Sequence, residues 1–306
     1  MGSIFRAFSS IRQAVGARWL FVPPFVRGAI LVSMGAIALT VMALIVKYLG
    51  PRMSPLEMQF FRSIIGLLLV APLFWRTPLA PFQTPKLNLH ILRGALGAAA
   101  NAFLFYSITH LPLADAMALQ FSRPLWAIPL ALIVLGEVME MRRFVATFIG
   151  FCGILIFARP FTSGFEVNAL IGATGALFGA AAIIDVKKLS ETEETRAIVF
   201  HFAFWNTVFS AIPALWVWIT PTMNEFLLLI VIGILGIIGQ GWLTHGFKTG
   251  DASALIPLDY ARIIYGAVLG YFIFGEVPGL LSYIGMALII GASIYLVLSE
   301  QKKAKG

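Results

Sequence analysis

Residues Val277 to Leu298 run for twenty-two positions without a charged side chain. At ~1.5 Å rise per residue, such a run crosses the ~30 Å hydrocarbon layer of a bilayer as one helix, a length that a buried helix of a soluble core rarely needs. Lipid offers no partner to backbone N–H and C=O groups, so a spanning segment must be helical or part of a closed barrel. The alternating pattern of barrel strands is absent. The expectation is an all-α membrane protein. Composition agrees: 59% of residues are hydrophobic, 12% are charged and mean hydropathy is +0.91, far from soluble averages.

Hydropathy predicts ten spans, roughly 28–49, 55–74, 91–109, 113–135, 143–158, 167–186, 197–219, 225–246, 252–274 and 278–298. The connections are too short for a soluble domain. The N-terminal segment MGSIFRAFSSIRQAVGARWLFVPP is basic, and its apolar stretch is too short for a cleaved signal, so residues 1–27 read as a cytoplasmic tail. Of the twenty-two Lys and Arg residues, sixteen fall in segments on the N-terminal side of the bilayer and three (Lys47, Arg52 and Arg159) on the other. The cytoplasmic side carries the excess in membrane proteins, which places both termini inside. The net charge of +8 then reflects topology and contact with anionic headgroups, and it is not read as nucleic-acid binding.

The remaining three cations, Arg62, Arg123 and Arg262, lie inside predicted spans. Two of them belong to a repeat. The stretch RPLWAIPLALIVLGEV from Arg123 and the stretch RIIYGAVLGYFIFGEV from Arg262 each hold an arginine, thirteen uncharged residues and a glutamate, 139 residues apart. Gly94 and Gly233, Gly97 and Gly236, Asn101 and Gln240, and Arg62 and His201 keep that offset, while VKYL from Val46 and VKKL from Val186 match at 140. An ungapped frame of this kind is an internal duplication. Residues 28–160 form the first five-helix repeat and 161–299 the second, followed by a cytoplasmic tail, 300–306. Five is odd, so the second repeat enters the bilayer from the opposite side. Inverted repeats imply two related conformations around a midplane site, which is transporter architecture.

The duplicated five-span plan, FFRS at Phe60 to Ser63 and the two GEV segments resemble the drug/metabolite transporter superfamily of EamA type, over essentially all ten spans. KYLG at Lys47, HILRG at His90, DVKKL at Asp185 and YFIFGEVP at Tyr271 look most like bacterial S-adenosylmethionine uptake carriers, with riboflavin carriers second. The resemblance implies a multi-pass protein of the bacterial inner membrane. It also implies that spans one to four and six to nine line a central cavity, with spans five and ten at the back or in a homodimer contact.

Intramembrane charge is costly and marks function by default. Arg123 and Arg262, each about ten residues into its span, reach ~15 Å deep and should meet near the middle. A guanidinium offers a bidentate fork to a carboxylate or phosphate. Asp259 and Arg262 are three apart on one helix face and could instead neutralise each other. Arg123 has only Gln120 at that spacing. The candidate solute site is Arg123, Arg262, Asp259, Tyr260, Trp126, Arg62, Asn101 and Gln240. Tyr260 and Trp126 are included because they flank the arginines and can stack on a ring or a cation. Ser54 to Glu57 and Thr222 to Glu225 read as capping boxes. Glu137 and Glu276, at helix exits, read first as fixing loop geometry, with proton exchange through a carboxylate left as the alternative. Gly94, Gly97, Gly172, Gly175, Gly179, Gly236 and Gly239 read as close helix contacts, and Pro129, Pro213 and Pro257 as bends.

Cys152 is the only cysteine, so neither a disulfide nor a cysteine metal site is expected. His90, His110, His201 and His245 are dispersed in sequence and lack zinc-binding spacing. GATGALFGAAA lacks the ending of a phosphate loop, so ATP hydrolysis by this chain, and any cofactor, is not expected. The reading is a secondary transporter moving a small amphipathic metabolite by alternating access, in contact with lipid. An S-adenosylmethionine-like amino acid derivative is the first choice. Riboflavin uptake and export of amino acids or other metabolites remain open, and an intramembrane enzyme is disfavoured by the inverted repeat.

Overall fold

The computed structural model describes residues 23–74, 84–135, 141–158, 166–190, 192–249 and 252–305. These residues form helices and connecting turns, with no strand among them. The helices are α1 Pro24–Leu49, α2 Pro55–Val70, α3 Leu87–His110, α4 Leu113–Gln120, α5 Arg123–Leu135, α6 Met141–Ala158, α7 Val167–Ser190, α8 Thr195–Trp216, α9 Met223–Thr249, α10 Ala252–Phe274 and α11 Leu280–Lys305. Among the described residues, six segments are long and apolar enough to cross a membrane by length and composition. Most ends fall within a few residues of the hydropathy spans. Both α1 and α2 carry proline in their first turn, where its missing N–H costs no hydrogen bond.

Span four departs from expectation, because α4 and α5 are two helices rather than one. Pro124 has no N–H to give, and its ring clashes with the carbonyl four residues back. The chain turns at Phe121 and Ser122, whose amides bond to Ala118 and Leu119. The Phe121 carbonyl released by the break accepts the Ser293 hydroxyl of α11 at 2.7 Å. The position corresponding to Pro124 in the second repeat is Ile263, and α10 runs unbroken past it.

Helix packing follows the inverted repeat. Exchanging the repeats turns the contact of α1 with α9 into that of α3 with α7, α3 with α8 into α2 with α9, and span four with α7 into α10 with α1. All six contacts are present. The pairs α2 with α8, α4 with α10, and α6 with α11 map onto themselves and are also present. Small residues permit this closeness, since lipid supplies no hydrophobic drive between helices. A Cβ at Gly35 of α1 would lie 2.8 Å from the Gly239 carbonyl of α9. Each of the seven glycines singled out in the sequence faces an atom that a Cβ would approach to less than 3.0 Å.

The two capping boxes divide. Thr222 and Glu225 bond reciprocally, backbone to side chain, at 2.7 and 3.4 Å, and Glu225 also takes Arg52. Ser54 caps Leu56 at 3.3 Å, but Glu57 is turned away from Ser54. Its carboxylate accepts the Ile219 N–H at 3.3 Å, tying α2 to the turn after α8. Pro129 and Pro213 sit inside α5 and α8. Glu137 and the side chains of Lys187 and Pro257 lie outside the described residues.

Candidate functional site

A cavity of about 370 Å³ lies between the repeats. Its polar lining is Arg62 of α2, Asn101 of α3, Gln120 of α4, Arg123 at the start of α5, Gln240 and Thr244 of α9, and Asp259, Tyr260 and Arg262 of α10. Seven of the eight residues picked from the sequence therefore face one space. The eighth does not. Trp126, one turn beyond Arg123, packs edge-on against Phe151 of α6 at 4.5 Å and is not part of the lining. Neither α6, α8 nor α11 contributes a lining residue.

The break in span four sets the geometry of Arg123. Placed at the first residue of α5, it donates from Nη2 to the Gln120 side chain at 2.6 Å, while its buried Nε has no hydrogen-bond partner. Gly179 of α7 makes room for it, since a Cβ there would meet Nε at 2.9 Å. Arg62 repeats the arrangement. Its buried Nε also lacks a partner, and a Cβ at Gly236 of α9 would meet that atom at 2.8 Å. Each arginine thus lies across a glycine of the second repeat, with donors unspent in a place where burial makes unpaired donors costly.

Arg262 is held differently. Its Nε lies 2.8 Å from Asp259 Oδ1, and Nη2 donates to Oδ2 at 3.0 Å. The pairing on one helix face weighed from the sequence is therefore the arrangement present, and both groups still line the cavity. The guanidinium also sits 4.9 Å above the Phe121 ring, which in turn stacks on Tyr260 at 4.1 Å. Phe121, Gln120 and Thr244 also line the cavity, although they are not among the eight candidate residues. The spacing of Gln120 to Arg123 was the available signal for one of them. Three arginines against one aspartate leave the lining with two unbalanced positive charges.

An ion pair between the repeats lies beside one end of the cavity. Lys47 at the end of α1 meets Glu276 after α10 at 2.5 Å and donates to the carbonyls of Ile108 and Leu111 that close α3. The second oxygen of Glu276 accepts the Leu113 N–H that opens α4, at 2.8 Å. Ile108 also lines the cavity, so the pair lies against it. Toward the opposite end the lining includes Ile183 and Thr244, both exposed. No group of three or more metal-ligating side chains occurs among the described residues.

The model of the EamA-like transporter family matches twice, at residues 26–159 and 168–298. The chain is 32% identical over 279 residues to the pseudopaline exporter CntI of Pseudomonas aeruginosa, covering 90% of this chain and 97% of that one. It is 30% identical over 256 residues to the S-adenosylmethionine uptake transporter of Rickettsia prowazekii, covering 84% and 87%. It is 30% identical over 249 residues to the riboflavin transporter of Brucella anthropi, covering 79% and 87%. A solved crystal structure superposes with a TM-score of 0.56 at 18% identity, over 90% of this chain and 98% of the other, a likeness of fold.

Proposed function

The chain belongs to the EamA-like transporter family, and from that premise we propose that it carries a small, carboxylate-bearing, amphipathic metabolite across the bacterial inner membrane by alternating access. The observation that carries the reading is the pair of buried guanidinium groups, Arg62 and Arg123, each with Nε unspent inside one cavity. A carboxylate offers the planar pair of acceptors that such a fork takes. The volume suits a metabolite, and the Phe121–Tyr260 stack gives a ring system a face to lie on. Both termini are cytoplasmic in this reading, by the distribution of Lys and Arg. The cavity then faces the cytoplasm, and the Lys47–Glu276 pair closes the outer side.

S-adenosylmethionine is the first cargo to test. Its carboxylate would sit on Arg123 and its adenine on the aromatic pair, while its sulfonium would need Asp259, which here holds Arg262. A more acidic cargo is the second reading, favoured by the two unbalanced positive charges of the lining, and an exporter would serve it as well as an importer. Binding to the purified protein separates them. S-adenosylmethionine should raise the Tm, its decarboxylated analogue should not, and Arg123→Ala should abolish the rise. Equal stabilisation by the decarboxylated analogue would remove Arg123 as the carboxylate ligand. No response to S-adenosylmethionine, with a response to di- or tricarboxylated amino acids, would favour the second reading.

A further inference from the structure

Outside the cavity, the histidines that look scattered in sequence form a pair. His90 of α3 and His201 of α8 stack with ring centroids 4.1 Å apart and planes inclined by 24°, and both residues are 0% exposed. The helices come together because Gly94, one turn along from His90, has no side chain: a Cβ there would lie 2.2 Å from the Cβ of Trp205. His90 Nε2 faces Glu193 Oε2 at 3.7 Å, and Glu193 is held from the first repeat by the Thr84 hydroxyl at 2.6 Å. Neither ring nitrogen of His90 has a hydrogen-bond partner.

Among the described residues, several charged groups lie near the pair. Arg93 stands three residues along α3 from His90, and from α7 Asp185 interacts with Arg93 and with Lys188. Lys86, before α3, donates to the Lys188 carbonyl at 3.3 Å. The only ionisable residues of α2, which packs on α8, are Glu57 at the far end and Arg62 in the cavity. Glu193 is the carboxylate that faces the His90 imidazole.

We propose that His90 and His201 form a binding site for one proton, the coupling ion of this carrier. The inference rests on the transporter reading and adds the energy source to it. A neutral pair leaves the buried His90 nitrogens unsatisfied beside a carboxylate, and one proton converts that contact into an imidazolium–carboxylate pair while the second ring stays neutral. Two imidazoliums at this distance repel strongly in a low dielectric, so the site fills once. The site also spans the moving parts. His90 belongs to the first repeat and His201 to the second, so any rearrangement of one repeat against the other changes the stack and with it the proton affinity. By linkage, proton binding biases the rearrangement in turn. The chemistry is one N–H bond formed on loading and broken on discharge, with the proton taken from bulk water and returned to it.

Two measurements on the full chain test this. In protein with ring-labelled histidine, NMR signals assigned through His90→Gln and His201→Gln should show the two rings sharing one proton, with steps about one unit or more apart, and either replacement should turn the remaining ring into a single simple titration. Independent titration of the two rings in wild type, or no protonation of either above about pH 5, would overturn the proposal. In proteoliposomes holding a lumenal pH dye, movement of labelled S-adenosylmethionine should be driven by a pH gradient and accompanied by proton flux. The variant H90Q/H201Q should keep exchange of labelled for unlabelled solute while gradient-driven accumulation falls about tenfold or more. Accumulation equal to wild type would overturn the coupling role. If wild type moves no S-adenosylmethionine, the cargo reading fails and the titration alone decides on the proton site.

Discussion

Lys47 and Glu276 face each other at 2.5 Å across the boundary between the two repeats. Through the Ile108 and Leu111 carbonyls and the Leu113 N–H, that pair also holds the corner between α3 and α4. Four segments at this end of the cavity are therefore joined at one point. The side chains are 11% and 17% exposed, so the pair is shielded enough for its charges to matter.

Removing one partner of such a pair costs about 3 to 5 kcal/mol, because the other charge is left buried and alone, whereas apolar replacement of both can recover the loss. Glu276→Gln is expected to lower the Tm and to speed labelling of a cysteine at Met117 by an impermeant maleimide, in a background lacking Cys152. K47M/E276L is expected to regain most of the Tm. A double variant no more stable than Glu276→Gln would mean that the pair is held by more than its charge balance.

Arg123 is expected to be irreplaceable by lysine. An ammonium keeps the charge but loses the fork, and with it the bond to Gln120 and the geometry of a bidentate contact. Arg123→Lys should weaken carboxylate binding about tenfold, a loss of roughly 1.4 kcal/mol, with little change in Tm. Calorimetric titration of both proteins with the same solute checks this.

Gly94→Ala tests the close approach of α3 and α8. Its methyl would meet the Cβ and backbone of Trp205, where no flexible side chain can yield, so a loss of about 1 to 3 kcal/mol is expected from overpacking. Gly291→Ala is the control. Beyond the adjoining backbone of its own helix, no atom would lie within 4 Å of a Cβ there, and the better helix former should leave the Tm unchanged or raise it. Thermal melts in one detergent compare the two.

Most helical spans, the duplication and seven of the nine polar residues lining the cavity were legible because each rests on a local signal: an uncharged run, a repeated frame, or a polar side chain inside a span. What was not legible depends on how helices face one another. Trp126 shares a span with Arg123 but turns to Phe151 of α6, and nothing in one sequence says which neighbour a helix face meets. His90 and His201 stack at 4.1 Å although they are 111 residues apart. Glu57 carries a capping signature but serves Ile219 instead, since a distant amide competes with a local one. The break before Arg123 had a signal in Pro124, directly after the arginine, which hydropathy averages away.

Counterflow in proteoliposomes bears most directly on the carrier reading. Vesicles loaded with unlabelled S-adenosylmethionine and placed in a trace of labelled compound should take up the label transiently. That uptake should saturate, be slowed by a competing carboxylated analogue, and be lost in Arg123→Ala protein of unchanged Tm. Arg123→Ala protein exchanging the label as fast as wild type would contradict the arginine-lined cavity as the place where solute is held.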